Sequence, residues 1–178
     1  MRCLTLMIAL IFLQACSQRR PPINTEKMNN TGNIHNPYYS RTDRTKLNVS
    51  NEEWKNILNP DLYAVAREAA TERPFSGKYN EFDELGEYYC AVCGNHLFRS
   101  TSKFSSTCGW PSFFEADKEG VAYKRDSSHG MERIEVTCKR CDSHLGHVFN
   151  DGPPPTGMRY CMNSVSLEFV GDSSQNLK

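Results

Sequence analysis

The chain has 178 residues, and its 21 lysines and arginines are balanced by 21 aspartates and glutamates, so the formal net charge is zero. This balance excludes a function that depends on a strongly basic surface, such as non-specific binding to nucleic acid or acidic lipid. The eight cysteines are the informative part of the composition. They are compatible with a disulfide scaffold or with a metal site.

Residues 1–16 are typical of a bacterial lipoprotein signal. A positive residue, Arg2, precedes the apolar run 4–13, which is too short to span a bilayer that needs about 20 apolar residues. The following Leu13-Gln14-Ala15-Cys16 resembles a lipobox, in which Cys16 is acylated and becomes the mature N-terminus. We expect an exported protein whose periplasmic domain is anchored to the membrane by this lipid. An ordinary cleaved signal and an uncleaved anchor are the alternatives.

Three further regions follow the signal. Residues 17–48 are rich in Asn, Thr, Arg and Pro and have no apolar period, which predicts a disordered tether. The folded domain is expected over residues 49–171, and residues 172–178 form a polar tail.

Two helices are predicted at the start of the domain. Ser50 and Glu53 form a capping box for the first helix, and Asn59 caps the second, which has Pro60 at its first position. We expect Trp54 to pack in the core and the second helix to end at 73–77. From Gly86 onward the pattern predicts short strands and a mainly β domain; the candidate strands are 86–90, 121–123, 133–137, 148–149 and 165–169.

Four cysteines form two CxxC pairs, Cys90 with Cys93 and Cys138 with Cys141. Zinc prefers four thiolate ligands in a tetrahedron, and two such pairs supply them. The sequence therefore predicts one structural Zn²⁺ that clamps two distant parts of the domain and has no open coordination position. Two disulfides are one alternative, since an exported protein permits them. A thioredoxin-like redox motif is another, although no βαβ pattern surrounds either pair.

Cys108 and Cys161 belong to neither pair. A cysteine reacts as its thiolate, so a reactive one needs positive or hydrogen-bonding neighbours. Arg159 and Asn163 lie two residues either side of Cys161, and alternate residues of a strand face one side. We predict Cys161 as a nucleophile. Cys108, close to Trp110, is either its resolving partner or an inert buried thiol.

His144 and His147 are candidate acid/base residues for Cys161. Imidazole titrates near neutral pH, and we expect a tight turn at the intervening Leu-Gly to bring the two rings together. A metal-binding pair is the alternative, but the sequence offers no accompanying carboxylate motif.

Residues from about 50 to 170 resemble the B-type methionine sulfoxide reductases, the peptide-methionine (R)-S-oxide reductases. The motifs that carry this resemblance are spread over the whole predicted domain. In chain order they are Arg73-Pro74-Phe75-Ser76-Gly77, the two CxxC pairs, Cys108-Gly109-Trp110-Pro111-Ser112-Phe113, Ser128-His129-Gly130, His144-Leu145-Gly146-His147-Val148-Phe149, Asp151-Gly152-Pro153 and Arg159-Tyr160-Cys161-Met162-Asn163-Ser164.

The resemblance implies two antiparallel sheets with N-terminal helices packed against them. It assigns Cys161 as the nucleophile and Cys108 as the resolving cysteine, and it places further residues at the substrate, namely Trp110, His144, His147 and Asn163. We also expect Arg159 to assist substrate binding. The implied reaction is attack of Cys161 on methionine (R)-sulfoxide, with His147 as proton donor. It leaves a sulfenic acid on Cys161, which Cys108 converts to a disulfide.

The partners follow from this chemistry. Oxidised proteins or peptides are the expected substrates, a thioredoxin-like dithiol would reduce the disulfide, and the membrane is reached through the N-terminal lipid. We expect a monomer that does not bind nucleic acid. A zinc-ribbon binding module and a general thiol-disulfide exchange protein are the competing hypotheses.

Overall fold

The computed structural model describes residues 36–172, which form a single domain of two short helices and nine strands. Helix α1 spans Asn51–Ile57 and helix α2 spans Pro60–Glu68. Both predicted N-caps are confirmed, because the Ser50 hydroxyl and the Asn59 side chain each accept a hydrogen bond from a backbone N–H of the first helical turn.

Helix α2 ends earlier than the sequence predicts. It stops at Glu68 because Ala69 adopts the left-handed conformation (φ 55°), so residues 73–77 lie in a loop beyond it. Trp54 is only 1% exposed, which confirms the prediction that it packs in the core.

The strands are short and all pair antiparallel. Their bounds are β1 Gly86–Cys90, β2 His96–Arg99, β3 Lys103–Phe104, β4 Ser112–Phe113, β5 Val121–Asp126, β6 Arg133–Cys138, β7 His144–Phe149, β8 Arg159–Met162 and β9 Leu167–Gly171. They form a three-stranded sheet in the order β2-β1-β9 and a six-stranded sheet in the order β3-β4-β8-β7-β6-β5. The predicted mainly β fold with two antiparallel sheets is therefore confirmed.

The strand predicted at 165–169 is only partly right. Ser164–Ser166 form a 3₁₀ turn, and β9 begins at Leu167. The polar side chains of this stretch bond to other parts of the domain. The Ser166 hydroxyl, for example, donates a hydrogen bond to the His144 carbonyl.

Aromatic side chains join the two sheets. Tyr88 of β1, Phe98 of β2 and Phe113 of β4 are fully buried. The rings of Phe98 and Phe113 stack with centroids 4.4 Å apart, and Tyr88 meets Phe113 edge-on at 5.0 Å. Such pairs stabilise beyond their burial alone. They fix β4, and with it the neighbouring strand β8 that carries Cys161.

The structure corrects the predicted tether at residues 36–48, which pack on the domain. Arg140 is 3% exposed, and its guanidinium donates to the Tyr38 carbonyl at 2.8 Å and to the Asp43 carboxylate at 2.9 Å. The Tyr38 ring lies edge-on to Trp54 at 5.3 Å. The partners in these contacts are distant in the sequence. The local composition of residues 36–48, which lacks an apolar period, therefore gave no indication of the contacts.

The other predictions about the termini concern residues outside 36–172. They are the signal at 1–16 with Cys16, the tether at 17–35 and the tail from 173 to 178. Within the part of the chain that the structure describes, neither helix is long and apolar enough to cross a membrane.

Candidate active site and metal centre

Four buried sulfurs form a cluster at one end of the domain. The Sγ atoms of Cys90, Cys93, Cys138 and Cys141 all lie within 4.8 Å of one another. A tetrahedral ion with Zn–S bonds of ~2.3 Å holds its sulfurs ~3.8 Å apart. The observed separations of 3.7 Å (Cys90 to Cys141) and 3.6 Å (Cys93 to Cys138) match this geometry. All four thiols are free, so the alternative of two disulfides is wrong.

The two CxxC pairs are built in the same way. Cys90 ends β1 and Cys138 ends β6. Each of these first cysteines accepts a hydrogen bond at its carbonyl from the N–H four residues later, that of Gly94 or of Asp142. Both of those residues have positive φ, which closes the turn. A metal bound here joins a strand of each sheet.

The other two cysteines meet in front of β8. The Sγ atoms of Cys108 and Cys161 lie 3.4 Å apart, within reach of a disulfide but not bonded. Cys161 pairs across the ladders with Ser112 of β4 and His147 of β7. Cys108 lies in the turn before β4, and its sulfur is 3.4 Å from the Ser112 hydroxyl. The fold thus brings together the two thiols that the CxxC pairs leave over.

The two thiols differ in acidity. Burial, together with the Cys108 sulfur, raises the pKa of Cys161 to about 12, and Arg159 opposes this only in part. Burial also acts to raise the pKa of Cys108, but the hydrogen bonds of this thiol with Ser106, Ser112, the Trp110 backbone and Cys161 outweigh it and lower that pKa to about 7. A charge on one sulfur opposes ionisation of the other. The pair therefore carries at most one negative charge near neutral pH.

A small pocket of about 110 Å³ opens beside Cys161. Its wall combines aromatic, cationic and amide side chains with the thiol. The lining residues are Thr71, Trp110, Arg133, Gly146, His147, Phe149, Cys161, Met162 and Asn163. Cys108 is not among them, so Cys161 is the thiol of this pair that lines the pocket.

The structure corrects the turn expected between the two histidines, which both lie in β7. In the ladder with β6, Val136 pairs with Gly146 and Thr137 pairs with His144, which leaves Leu145 as an extra residue. Residues three apart on a regular strand face opposite sides, but this β-bulge returns both rings to one face. Their centroids are 5.4 Å apart.

Each histidine has a carboxylate partner that the sequence did not reveal. His147 Nε2 lies 2.7 Å from Asp126, and His144 Nδ1 lies 2.8 Å from Glu135. Burial lowers the pKa of His147, with Asp126 opposing. His144 is 4% exposed, and its Nε2 has no hydrogen-bond partner among the described residues. Glu135 lies on β6 and pairs in the ladder with His147, although its carboxylate binds His144. Asp126 lies on β5, two strands away from β7. The strand order and register were therefore needed to find both carboxylates.

Of the other three predicted site residues, two line the pocket and one does not. Trp110 and Asn163 line the pocket, and Asn163 is 3% exposed with its amide bonded to the backbone of Glu72 and Leu145. Arg159 is not among the lining residues. Its guanidinium makes two hydrogen bonds to Asp151, at 2.9 and 2.8 Å, and lies over the Phe149 ring.

Two free thiols in this arrangement can pass to a disulfide and back, which transfers two electrons to or from a molecule held at Cys161. That chemistry places the protein among the thiol-dependent oxidoreductases. Comparison with known proteins defines the class further. Residues 58–171 match the SelR domain model, and the chain belongs to this family, that of the B-type methionine sulfoxide reductases.

Close relatives cover most of the same region. The chain is 60% identical over 127 residues to the peptide methionine sulfoxide reductase MsrB of Pseudomonas savastanoi pv. phaseolicola, which is 70% of this chain and 96% of that protein. It is 56% identical over 126 residues to the MsrB of Pseudomonas syringae pv. syringae, again 70% of this chain and 96% of the relative. The MsrB of Pseudomonas fluorescens is 56% identical over 126 residues, with 70% and 97% covered.

Proposed function

We propose that the protein reduces methionine (R)-sulfoxide in proteins and peptides to methionine, with Cys161 as nucleophile and Cys108 as resolving cysteine. Membership of the family supports the reaction. One observation supports the assignment of roles, namely that Cys161 lines the pocket while Cys108, which does not, has its sulfur 3.4 Å from the Cys161 sulfur. A sulfoxide in the pocket meets Cys161 first, and Cys108 is in place to attack next.

The reaction balances in three steps. The Cys161 thiolate attacks the sulfoxide group, the sulfoxide S–O bond breaks, and methionine leaves while the oxygen and one proton pass to Cys161, which becomes a sulfenic acid. Cys108 then attacks that sulfur, which forms the Cys108–Cys161 disulfide and releases water. A thioredoxin-like dithiol reduces the disulfide by exchange and is itself oxidised.

The pocket residues supply the other functions. His147 lines the pocket and is paired with Asp126, so it is the proposed donor of a proton to the sulfoxide oxygen. Trp110 offers an aromatic face to the substrate methyl group, which helps to distinguish the two sulfoxide epimers. His144 and Asn163 are buried beside these groups and hold the pocket residues in position.

The four-cysteine cluster fits Zn²⁺, and we propose one such ion as a structural cofactor held by Cys90, Cys93, Cys138 and Cys141. When bound, it supplies four metal–sulfur bonds that cross-link β1 and β6. Four thiolates complete its tetrahedron, so it provides no open position for a substrate.

A single-turnover reaction tests the proposal. The reduced full chain is mixed with a peptide containing methionine (R)-sulfoxide, without reductant, and methionine and disulfides are measured by mass spectrometry. About one equivalent of methionine per chain is expected, with Cys108 joined to Cys161 and the other cysteines of the domain unlinked. The same peptide with the (S)-sulfoxide serves as the matched control and should yield none.

The other outcomes are equally informative. Absence of methionine from folded, metal-containing protein contradicts the reductase proposal. Reduction of a disulfide peptide without any reduction of the sulfoxide supports a general thiol-disulfide exchange protein. If methionine forms while Cys108 remains a free thiol, the reductase reaction is supported but the resolving role of Cys108 is contradicted.

We also propose that the chain is an exported lipoprotein, acylated on Cys16, whose domain faces the periplasm. The support is the sequence of residues 1–16. An exported thioredoxin-like protein would then supply the electrons. Labelled fatty acid should be incorporated into the wild-type chain and not into Cys16→Ser. Equal labelling of both would contradict lipidation at this residue.

A further inference from the structure

Glu72 makes four hydrogen bonds to residues in or next to the pocket. No sequence motif or charge pattern predicted a role for it. It lies in the loop after α2 and directly follows Thr71, which lines the pocket. Its backbone and its carboxylate bind different parts of the site. This one residue therefore contacts two side chains that line the same small pocket, those of Trp110 and Asn163.

On one side, Glu72 holds Trp110. The Glu72 carbonyl accepts a hydrogen bond from the indole Nε1–H at 3.1 Å. Rotation of the ring away from its present position would break this bond, and Trp110 forms part of the pocket wall. The contact therefore sets the direction of the aromatic face.

On the other side, Glu72 holds the chain that follows β8. Its N–H donates to the Asn163 side-chain oxygen at 3.0 Å. Its carboxylate accepts the N–H of Ser164 at 2.6 Å and that of Val165 at 3.1 Å. These two N–H groups begin the Ser164–Ser166 turn, whose own N-cap side chain makes no capping bond. The first N–H groups of such a turn need an acceptor, and a carboxylate is a strong one.

The loop around Glu72 has little freedom to move away. A Cβ added at Gly77 would lie 2.6 Å from the Glu72 carboxylate and 2.2 Å from the Ser164 hydroxyl, so a side chain at this position would force the two groups to shift. The Ser164 hydroxyl also accepts a hydrogen bond from the Tyr79 N–H at 3.3 Å. The segment from 72 to 79 is thus folded over the turn that it caps.

We propose that Glu72 is a positioning residue that fixes two lining residues of the pocket, Trp110 and Asn163, relative to Cys161. For its effect on turnover, this inference rests on the proposed function. Glu72 does not contact the thiols in this arrangement. Replacement of its side chain removes the two carboxylate bonds that anchor the loop to the Ser164–Ser166 turn. The Glu72 backbone is then expected to shift, and Trp110 and Asn163 with it, while the acidity of the Cys108–Cys161 pair stays unchanged.

The test compares three variants of the full chain with the peptide that contains methionine (R)-sulfoxide. Glu72→Ala should lower kcat/KM by roughly 10- to 100-fold, with most of the loss in KM, because displaced walls bind substrate poorly while the thiols still react. Glu72→Gln keeps one acceptor oxygen and should lose less, about three- to tenfold. Glu68→Ala removes the same charge from the exposed end of α2 and should behave as wild type.

A second readout reports on position and does not require activity. The chain has two tryptophans, and the Trp110 indole N–H can be assigned in the NMR spectrum from Trp110→Phe. Its hydrogen exchange should accelerate in Glu72→Ala, whereas exchange at the buried Trp54 and the pH titration of the two thiols should not change. If the wild type fails to reduce the sulfoxide, the proposed function fails, and this exchange experiment still decides whether Glu72 orients Trp110.

Two results would overturn the inference. One is wild-type kinetics with wild-type indole exchange in Glu72→Ala. The other is lost activity with unchanged indole exchange and an altered thiol titration, since Glu72 would then act on the thiols or on the whole fold.

Discussion

Cys108 and Cys161 lie in contact yet are chemically unequal, and their separate replacement distinguishes their roles. Cys161→Ser should form no methionine, because no other thiol of the described domain faces the pocket. Cys108→Ser should still form about one equivalent without reductant, and the sulfenic acid should then persist on Cys161. Mass spectrometry after trapping with dimedone would detect it. Failure of Cys108→Ser to form any methionine would show that Cys108 is needed before the disulfide step.

The acidity of the pair predicts a pH dependence with a definite sign. Hydrogen bonding lowers the pKa of Cys108 to about 7, so the single negative charge of the pair is lost as pH falls below that value and is present above it. The rate of alkylation by iodoacetamide should therefore rise with pH around 7. In Cys108→Ser the midpoint should move upward, because burial raises the pKa of Cys161. A midpoint unchanged by this substitution would contradict the assignment of the charge to Cys108.

Among single residues, sequence reasoning found the thiols, the histidines and the two capping residues, because each carries its own chemical or local signal. It did not find Asp126, Glu135 or Glu72. A carboxylate opposite a histidine becomes visible only when the strand register is known. Glu72 acts largely through its backbone and through the backbone of others, and such bonds leave no pattern in the sequence.

At the level of elements, alternation predicted β1, β5, β6 and part of β9, but it missed β2, β3 and β4 and found only the end of β7. Irregularities within strands were not predicted either. The bulge at Leu145 is the clearest case, since it gives two histidines three residues apart the same face. A local sequence signal cannot specify it, because the extra residue is defined by its partner strand. The segment 36–48 was missed for a similar reason, since its contacts are with Arg140 and Trp54.

The packing of 36–48 on the domain predicts a marked effect of Arg140. Arg140→Ala would remove the donor to the Tyr38 carbonyl, one of the two donors to the Cys93 carbonyl and the ion pair with Asp43, and a loss of about 2–4 kcal/mol in the free energy of unfolding is expected. Urea denaturation of the full chain measures it. The matched control is Lys139→Ala, whose partly exposed ion pair with Glu119 should contribute less than about 1 kcal/mol. Equal stability of the two variants would contradict a structural role for the segment.

At the level of the whole molecule, the metal centre is expected to govern stability. Purified protein should contain about one zinc per chain by elemental analysis. Because the cluster joins strands from different sheets, removal of the ion with a chelator should lower the melting temperature by more than about 10 °C. Cys90→Ser should reproduce this loss, whereas Cys108→Ser should retain both metal and stability. A chelated protein that melts at the original temperature would rule out the clamp.

The same cluster has a consequence for the fidelity of catalysis. In the proposed reaction each turnover creates a sulfenic acid, which will condense with any accessible thiol, and the described domain contains five other cysteines besides Cys161. A bound ion acts on four of them as a protecting group does in synthesis, since a coordinated, buried thiolate is withheld from exchange. Only Cys108 is left to compete. The metal would then preserve the correct disulfide connectivity through repeated cycles of oxidation, a task separate from holding the sheets together.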